Sequence, residues 1–356
     1  MRNLIEPHAF TDLFHTNPPQ DFRVEAGPFG TPVFSATLDL LTTADEPIAV
    51  RIRSLPLYQY WGRVLRIQTR FCGTTTTEHC PLPQGVPART LLDALHSAYA
   101  ETQPLFIVKD LPNTSPLVSD KYNAYADELV RAARDKGYII LEGEALAYND
   151  IDFSDEDEYL SRLSAARRKN IRRKMRSRGV LDVSVLPLGD GFFNNDAVTN
   201  ELYALFRQVY DNSPTHFDLL TQEYLTALVR AKDIPGVVFR YAEGGETIGY
   251  NICLTSGNTL IDKTIAMNYA RSRDVNLYHV SWMENLRYAR THGYARYVSG
   301  CTAVGTKASL GASFTMTRHL VWVRNPLLRR LLAACRGIFE ADTKTMERSR
   351  HAPSHS

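Results

Sequence analysis

The sequence lacks most of the features that give a function away quickly. No run approaches the ~18 apolar residues that a membrane helix needs, so no membrane span is expected. The opening "MRNLIEPHAFTDLF" has no apolar core of the kind a signal peptide carries. Cysteine is scarce: the five residues, an odd number spread from Cys72 to Cys335, do not make a disulfide framework. Structural zinc wants four ligands in paired short spacings. Cys72, His79 and Cys80 in "CGTTTTEHC" have no second pair, so no metal is expected. A Walker loop and a dinucleotide-binding glycine fingerprint after a strand are both missing. Charge of one sign is missing too. Lys plus Arg is 41 and Asp plus Glu is 39, a formal net charge of +2, where a dedicated nucleic-acid binder carries a clear basic excess. These absences leave a soluble cytoplasmic protein with free thiols, and nothing in them fixes an oligomeric state.

What is present is a chain of 356 residues, 44% hydrophobic and 22% charged, enough for real cores and about two domains. The charge is unevenly spread. Eight of the twelve positions from Arg167 to Arg178 are Arg or Lys, while "DFSDEDEYL" just upstream is acidic. Ser154, with Asp157 three positions on, has the spacing of a capping box. Acids in the first turn and bases in the last suit the helix dipole. Gly179 is placed to stop the helix in a left-handed conformation. Leu160, Leu163, Ile171 and Met175 form one apolar stripe. The pattern predicts one continuous helix over about 155–178. Its basic face is either a solvated surface or a seat for a phosphate-rich ligand such as a nucleotide, coenzyme A or tRNA.

The first half reads as a short helix at "EPHAFTDLFHT" and strands at "TPVFSATLDLLT", "EPIAVRIRS" and "GRVLRIQTRFCG". A helix at "ARTLLDALHSAYAET", a strand at "PLFIVKDLP", a Ser-capped helix at "SDKYNAYADELVRAARDKG" and a strand at "YIILEGEALAY" follow. The acidic "NDIDFSDEDE" is the expected junction between a first domain, 1–150, and a second, 151–340. After the basic helix come a strand at "VLDVSVLPL" and two helices parted by "PTHFD". Three strands joined by "EGGE" and "SGN" turns follow, then a helix at "NLYHVSWMENLRYARTHG" and a strand at "YARYVSG". The Gly-rich "AVGTKASLGA", a last strand and a last helix complete the second half, and 341–356 reads as a disordered tail.

This order resembles the GNAT acyltransferase fold. "LSRLSAARRKNIRRKMRSRG" is similar to the Arg-rich helix that opens the second half of FemAB-like transferases and their bacterial acetyltransferase-like relatives. "VYDNSPTHFDLLTQEYLTAL" is similar to their helix–loop–helix, "TIGYNICLTSGNTLIDKTIAMN" to their central hairpin, and "GTKASLGASF" to their C-terminal Lys and Gly segment. The resemblance spans about residues 155 to 335. It implies an α/β (α+β) fold of tandem GNAT-like domains, with mixed, mostly antiparallel sheets flanked by helices and a degenerate first unit. It also implies transfer of an acyl or aminoacyl group from an activated donor, either aminoacyl-tRNA or an acyl thioester such as acyl-CoA, to an amino or hydroxyl group of a small molecule or cell-envelope precursor. No bound cofactor is implied. One departure bears on the donor. GNAT enzymes that use acetyl-CoA cradle its pyrophosphate in a Gly-rich loop at a helix start. The matching "RSRDVN", Arg271 to Asn276, has Asp274 and Asn276 where small residues belong, and Asp274 adds a negative charge.

Acyl transfer needs a positioned acceptor, a place for its proton and stabilisation of the oxyanion. The resemblance places free backbone N–H groups where "LIDKTIAMN" and "ARYVSG" splay apart, and matches Lys307 to the family's C-terminal Lys. Asp262 and Lys263 interrupt an apolar strand, where buried charge is costly, so either they line a cleft or the strand is an exposed edge. Asn251 and Tyr250 sit mid-strand opposite and are candidates to hold the acceptor, Tyr250 with a core role as the alternative. His216, in the loop, is a candidate acceptor contact or a surface residue. His279 starts the long helix beside the donor site, as a ligand contact or a structural residue, and Arg271 stands in the would-be pyrophosphate loop. Cys301 has no His or Asp near it in sequence to activate it, which argues against a Cys nucleophile. The rivals to an enzyme are a nucleic-acid-binding protein built around the basic helix and a catalytically inactive GNAT-like binding module.

Overall fold

The structure, a computed structural model, describes residues 1, 4–41, 46–213 and 216–334, the side chains of 46–49 excepted. The expected tail at 341–356 lies outside them. In chain order the strands are β1 (Arg23–Ala26), β2 (Pro32–Asp39), β3 (Arg66–Cys72), β4 (Leu105–Pro112), β5 (Ile139–Asp150), β6 (Asp182–Pro187), β7 (Gly236–Glu243), β8 (Glu246–Ser256), β9 (Thr259–Met267), β10 (Arg296–Gly300) and β11 (Ser313–Val323). The chain forms two compact units. One is Met1–Ala145 with the segment that begins at Thr315; the other runs from Leu146 to Phe314. The chain thus changes units inside β5 and again inside β11.

In the first unit β1, β2 and β3 pair antiparallel in sequence, β3 pairs parallel with β4, and β4 pairs antiparallel with β11. The parallel step requires a crossover, supplied by the helix Ala88–Leu95 and the π-turn that extends it through His96–Ala100. Leu91, Leu92 and Leu95 of that helix are fully buried with Phe106 and Val108 of β4 and Leu129 of the helix Asp120–Asp135. "EPIAVRIRS", expected as a strand, is instead the helix Glu46–Arg53. Its alternating apolar residues are ambiguous over so short a run. There is no place for it between β2 and β3, which pair directly with each other from Val33 with Cys72 to Asp39 with Arg66.

The second unit repeats the theme. β6, β7, β8 and β9 pair antiparallel, β9 pairs parallel with β10 through the crossover helix Leu277–Thr291, and β10 pairs antiparallel with the end of β5. The GNAT-like mixed α/β architecture, with largely antiparallel strands and flanking helices, is therefore present in the structure.

The long basic helix is not continuous. It is a short helix Glu156–Ser161, a break, the helix Ala165–Met175, and a 3-10 turn Arg176–Val180. Asp155, not Ser154, caps the first piece, its side chain accepting from the Glu158 N–H at 2.8 Å. Ser154 N and Oγ both donate to the Glu158 carboxylate. Ser164 caps the second piece by accepting from the Arg167 N–H. Arg168 donates to the carbonyls of Ser161 and Leu163, which the break leaves without helical partners. The break lets both Leu160 and Ile171 reach the core, with Leu163 and Met175 packed beside them. Gly179 does not take the expected left-handed conformation; it lies inside the 3-10 turn.

Candidate functional site

The site is built where β9 and β10 part. Their parallel ladder joins Thr259–Ile261 to Arg296–Val298 and stops there. Both strands are irregular at this point. Ile252 pairs with Thr264 and Cys253 with Asp262, so Lys263 is the extra residue of a bulge in β9. Val298 pairs with Tyr148 and Gly300 with Ala147, so Ser299 is the extra residue in β10. Bulges re-aim side chains and are over-represented beside active sites.

Four polar side chains converge there. Asp262 accepts from Asn251 Nδ2 at 2.7 Å, from Tyr297 Oη at 2.9 Å and from Asn285 Nδ2 at 3.3 Å. The Asn285 amide also donates to Asn251 Oδ1 at 2.8 Å, and the Cys253 thiol donates to the same oxygen at 3.4 Å. Asn251, Asn285 and Tyr297 are fully buried, whereas Asp262 keeps partial exposure. The charge of Asp262 adds to burial in raising the ionisation of Tyr278, Tyr297 and Cys253 above the usual range, so these groups stay protonated. A partly exposed carboxylate set among these donors can bind an ammonium or take a proton.

His279 lies in the first turn of the crossover helix that also carries Asn285. The Lys174 ammonium sits 2.8 Å from His279 Nε2. An ammonium can only donate, so Nε2 accepts and the proton of the neutral ring is on Nδ1. Burial first, and the Lys174 charge second, lower the His279 pKa to about 4. The basic helix therefore meets the crossover helix through Lys174. Most of its other cations are engaged within the unit. Arg167 donates to Ala308 O, Arg172 to Asp157, Arg173 to Asn170, and Arg178 to Glu284 and Leu181 O.

The remaining expected residues are distributed as follows. Lys307 is 3% exposed. Its ammonium donates to Gly300 O at 3.1 Å and to Ser299 O, so it holds the bulged end of β10 rather than presenting a free cation. Lys263, the bulge residue, is half-buried. Tyr250 is buried on the opposite face of β8 from Asn251, as strand alternation requires, with its hydroxyl 3.4 Å from Glu201. It does not join the site. His216 is exposed and packs edge-on against Tyr210 at 5.0 Å. Arg271 is clamped by Glu243 and Glu246 at the β7–β8 turn. "RSRDVN" is not an open loop. It is the end of a helix, Tyr269–Asp274, capped by Asn268. The N–H of Val275 donates to Arg271 O and that of Asn276 to Arg273 O. Asn276 adopts φ 52° to launch the crossover helix. Cys72 and Cys80 are buried and lie together, the Cys80 thiol donating to Cys72 O. Among the described residues no group of His, Cys, Asp or Glu is placed to hold a metal ion.

Sequence reasoning missed Asn285 and Tyr297. The signal for Asn285 was present: "WMENL" puts two polar residues inside an apolar helical run, and both Glu284 and Asn285 prove buried.

Residues 165–307 match the family model of the acetyltransferase (GNAT) domain. Among curated proteins none matches the sequence. Three solved structures share the fold at 10% identity. The C-terminal domain of an assigned lysylphosphatidylglycerol synthetase of Agrobacterium fabrum has a TM-score of 0.54, over 93% of this chain and 92% of its own. L-PGS of Bacillus licheniformis has 0.53, over 98% and 99%. FemX has 0.52, over 93% and 94%. Residues 165–307 are thus similar to the acetyltransferase (GNAT) domain, and the fold is the one that FemX and the two lysylphosphatidylglycerol synthetase structures share.

Proposed function

We propose that this protein is an acyltransferase that moves an acyl or aminoacyl group from an activated donor to an amino or hydroxyl group of a small molecule or cell-envelope precursor. The observation that carries the reading is the Asp262 carboxylate, held by Asn251, Asn285 and Tyr297 at the point where β9 and β10 part. In this reading Asp262 orients the acceptor, takes its proton as the new bond forms, and returns a proton to the donor's departing oxygen or sulfur as the ester or thioester bond breaks. Backbone N–H groups where the two strands part meet the oxyanion. Lys307 fixes the end of β10 by holding Ser299 O and Gly300 O.

Aminoacyl-tRNA is the favoured donor. Where a pyrophosphate would need free N–H groups, those of Val275 and Asn276 are spent on helical carbonyls, and Asp274 adds a like charge. The structural relatives are consistent with this: a lysylphosphatidylglycerol synthetase is by name a maker of an aminoacylated product.

The test is deacylation of charged tRNAs, and in parallel of acyl-CoAs, in the presence of a panel of amine and alcohol acceptors. Asp262→Asn keeps the shape and loses the base. Turnover should fall by roughly 10² or more while the circular dichroism spectrum is retained. A folded Asp262→Asn protein with wild-type turnover would sink the assignment.

A further inference from the structure

Eleven large hydrophobic side chains are exposed among the described residues, and they are not scattered. Eight belong to two elements of the first unit. Val50, Leu55, Leu57, Tyr60 and Val64, 47–77% exposed, lie on the excursion that joins β2 to β3. Leu327, Leu328 and Leu331, 52–73% exposed, lie on the helix Pro326–Ala334 that follows β11. Isolated exposed apolar residues need no explanation, but a concentration does.

Strand register brings the two elements to one end of the first unit's sheet. Asp39, where β2 ends, pairs with Arg66, where β3 begins. Thr69 of β3 pairs with Leu105, where β4 begins, and Leu105 pairs with Val323, where β11 ends. The excursion and the helix therefore emerge at the same end. Neither is a loose loop. In the excursion Tyr58 packs edge-on against Trp61 at 5.2 Å, and the Trp61 indole donates to Pro56 O at 3.0 Å. Leu57 is held at φ 60°, a conformation costly for a leucine, at the tip. In the helix Arg329 folds back over the Trp322 ring at 3.9 Å, which leaves its leucines turned to solvent.

The charge at this end is mostly positive. Asp45 and Glu46 open the excursion, but no Asp or Glu occurs between residues 47 and 77; of the arginines there, Arg66 pairs with Asp39 and Arg70 with Glu25, and Arg51, Arg53 and Arg63 lie on the excursion. No Asp or Glu occurs between residues 315 and 339, which contain Arg324, Arg329 and Arg330. Exposed leucine and valine beside tyrosine, tryptophan and arginine is the composition of segments that lie in a membrane interface. A second copy of this chain would bring arginines against arginines. A nucleic acid would satisfy the arginines but leave the leucines and valines in water. An anionic bilayer satisfies both.

We propose that this end of the first unit is a docking face for an anionic lipid bilayer, with the tip of the β2–β3 excursion and the Leu327/Leu331 face entering the interface. No helix among the described residues is long and apolar enough to cross a membrane, so the contact is with the surface. The proposal does not depend on the transfer reaction.

The test is co-sedimentation of the full chain with vesicles of phosphatidylcholine alone and with equimolar phosphatidylglycerol. Each arginine at such a surface is worth roughly fivefold in partitioning, so binding should be at least tenfold stronger on the anionic vesicles and should weaken as salt is raised. Two apolar variants, Leu57→Asp with Val64→Asp and Leu327→Asp with Leu331→Asp, and one charge variant, Arg51→Glu with Arg53→Glu, should each lose at least tenfold. All these positions are exposed, and circular dichroism checks that the variants fold. Three results would overturn the proposal: no binding to anionic vesicles, binding that all three variants keep, or a wild-type dimer or tRNA complex that these variants disrupt while vesicle binding stays absent.

Discussion

Replacing Lys307 with methionine tests what its cation does. The side chain is 3% exposed and donates to the carbonyls of Ser299 and Gly300. Ser299 is the bulge residue of β10, so the ladder does not satisfy these carbonyls in the ordinary way. Methionine keeps the length and apolar stem and removes the donors. A buried carbonyl left without a partner costs about 1–3 kcal/mol, so two cost about 2–6 kcal/mol. Against this, the variant no longer buries an ammonium, and that relief offsets part of the loss. The expected net destabilisation is about 2–4 kcal/mol, which for a unit of this size lowers Tm by on the order of 5–12 °C. Lys307→Gln, which keeps one N–H donor group, should recover part of it. Thermal and urea unfolding followed by circular dichroism measure both variants. A methionine variant within ~0.5 kcal/mol of wild type would refute the bracing role. If that same variant also lost transfer by more than about 10², the cation would be in contact with the reacting group, as the family resemblance implies for this lysine.

How much of this was legible in the sequence depends on whether the signal is local. The β7–β8–β9 meander and the crossover helix were readable, because the Gly244–Gly245 turn and the 3.6-residue period lie within the segments themselves. The break at residues 162–164 was not. Charge and capping signals favour one helix there, and the break comes from Ser164 capping anew so that Leu160 and Ile171 both reach the core. The helix Glu46–Arg53 was misread because alternation shows that a strand is possible, not that a sheet edge awaits it. At the site, Asp262 was noticeable because a carboxylate in an apolar run needs partners. Which partners it has depends on Asn285 and Tyr297, from elements 23 and 35 residues away. Asn251 and Tyr250 were grouped although neighbouring strand residues face opposite ways; only the position of the crossover helix decides which of them meets Asp262. Arg271 and Lys307 were singled out, but the partners that hold them, two glutamates and two carbonyls, lie outside any local motif.

The remaining predictions concern the donor, the basic helix and pH. Calorimetric titration with acetyl-CoA should show no binding at micromolar concentrations, since the N–H groups of Val275 and Asn276 are already used; micromolar affinity would make this an ordinary CoA-dependent enzyme. Arg172→Ala with Arg173→Ala should change stability by less than about 1 kcal/mol, because the Arg172 pair with Asp157 is exposed on both sides. Binding of random duplex DNA should be weak before and after; tight, steeply salt-dependent binding lost in this variant would favour a nucleic-acid-binding protein. The last prediction uses His279, whose pKa burial and the Lys174 charge lower to about 4, against about 6.5 in an unfolded chain. Above pH 6.5 both states hold the ring neutral, and the group adds no pH dependence. Below it the unfolded chain takes up a proton that the folded protein refuses, so stability falls as pH drops from about 6.5 to about 4 and stays lost below that. At pH 5 the linkage amounts to about 2 kcal/mol, or about 1 kcal/mol once allowance is made for water that still reaches the half-buried ring. His279→Gln can still accept from Lys174 but does not titrate. Between pH 7.5 and pH 5 wild type should therefore lose about 1–2 kcal/mol more than the variant in urea unfolding. Parallel pH profiles for the two proteins would show that burial and Lys174 do not hold His279 neutral, and the contact between the basic helix and the crossover helix would fail with it.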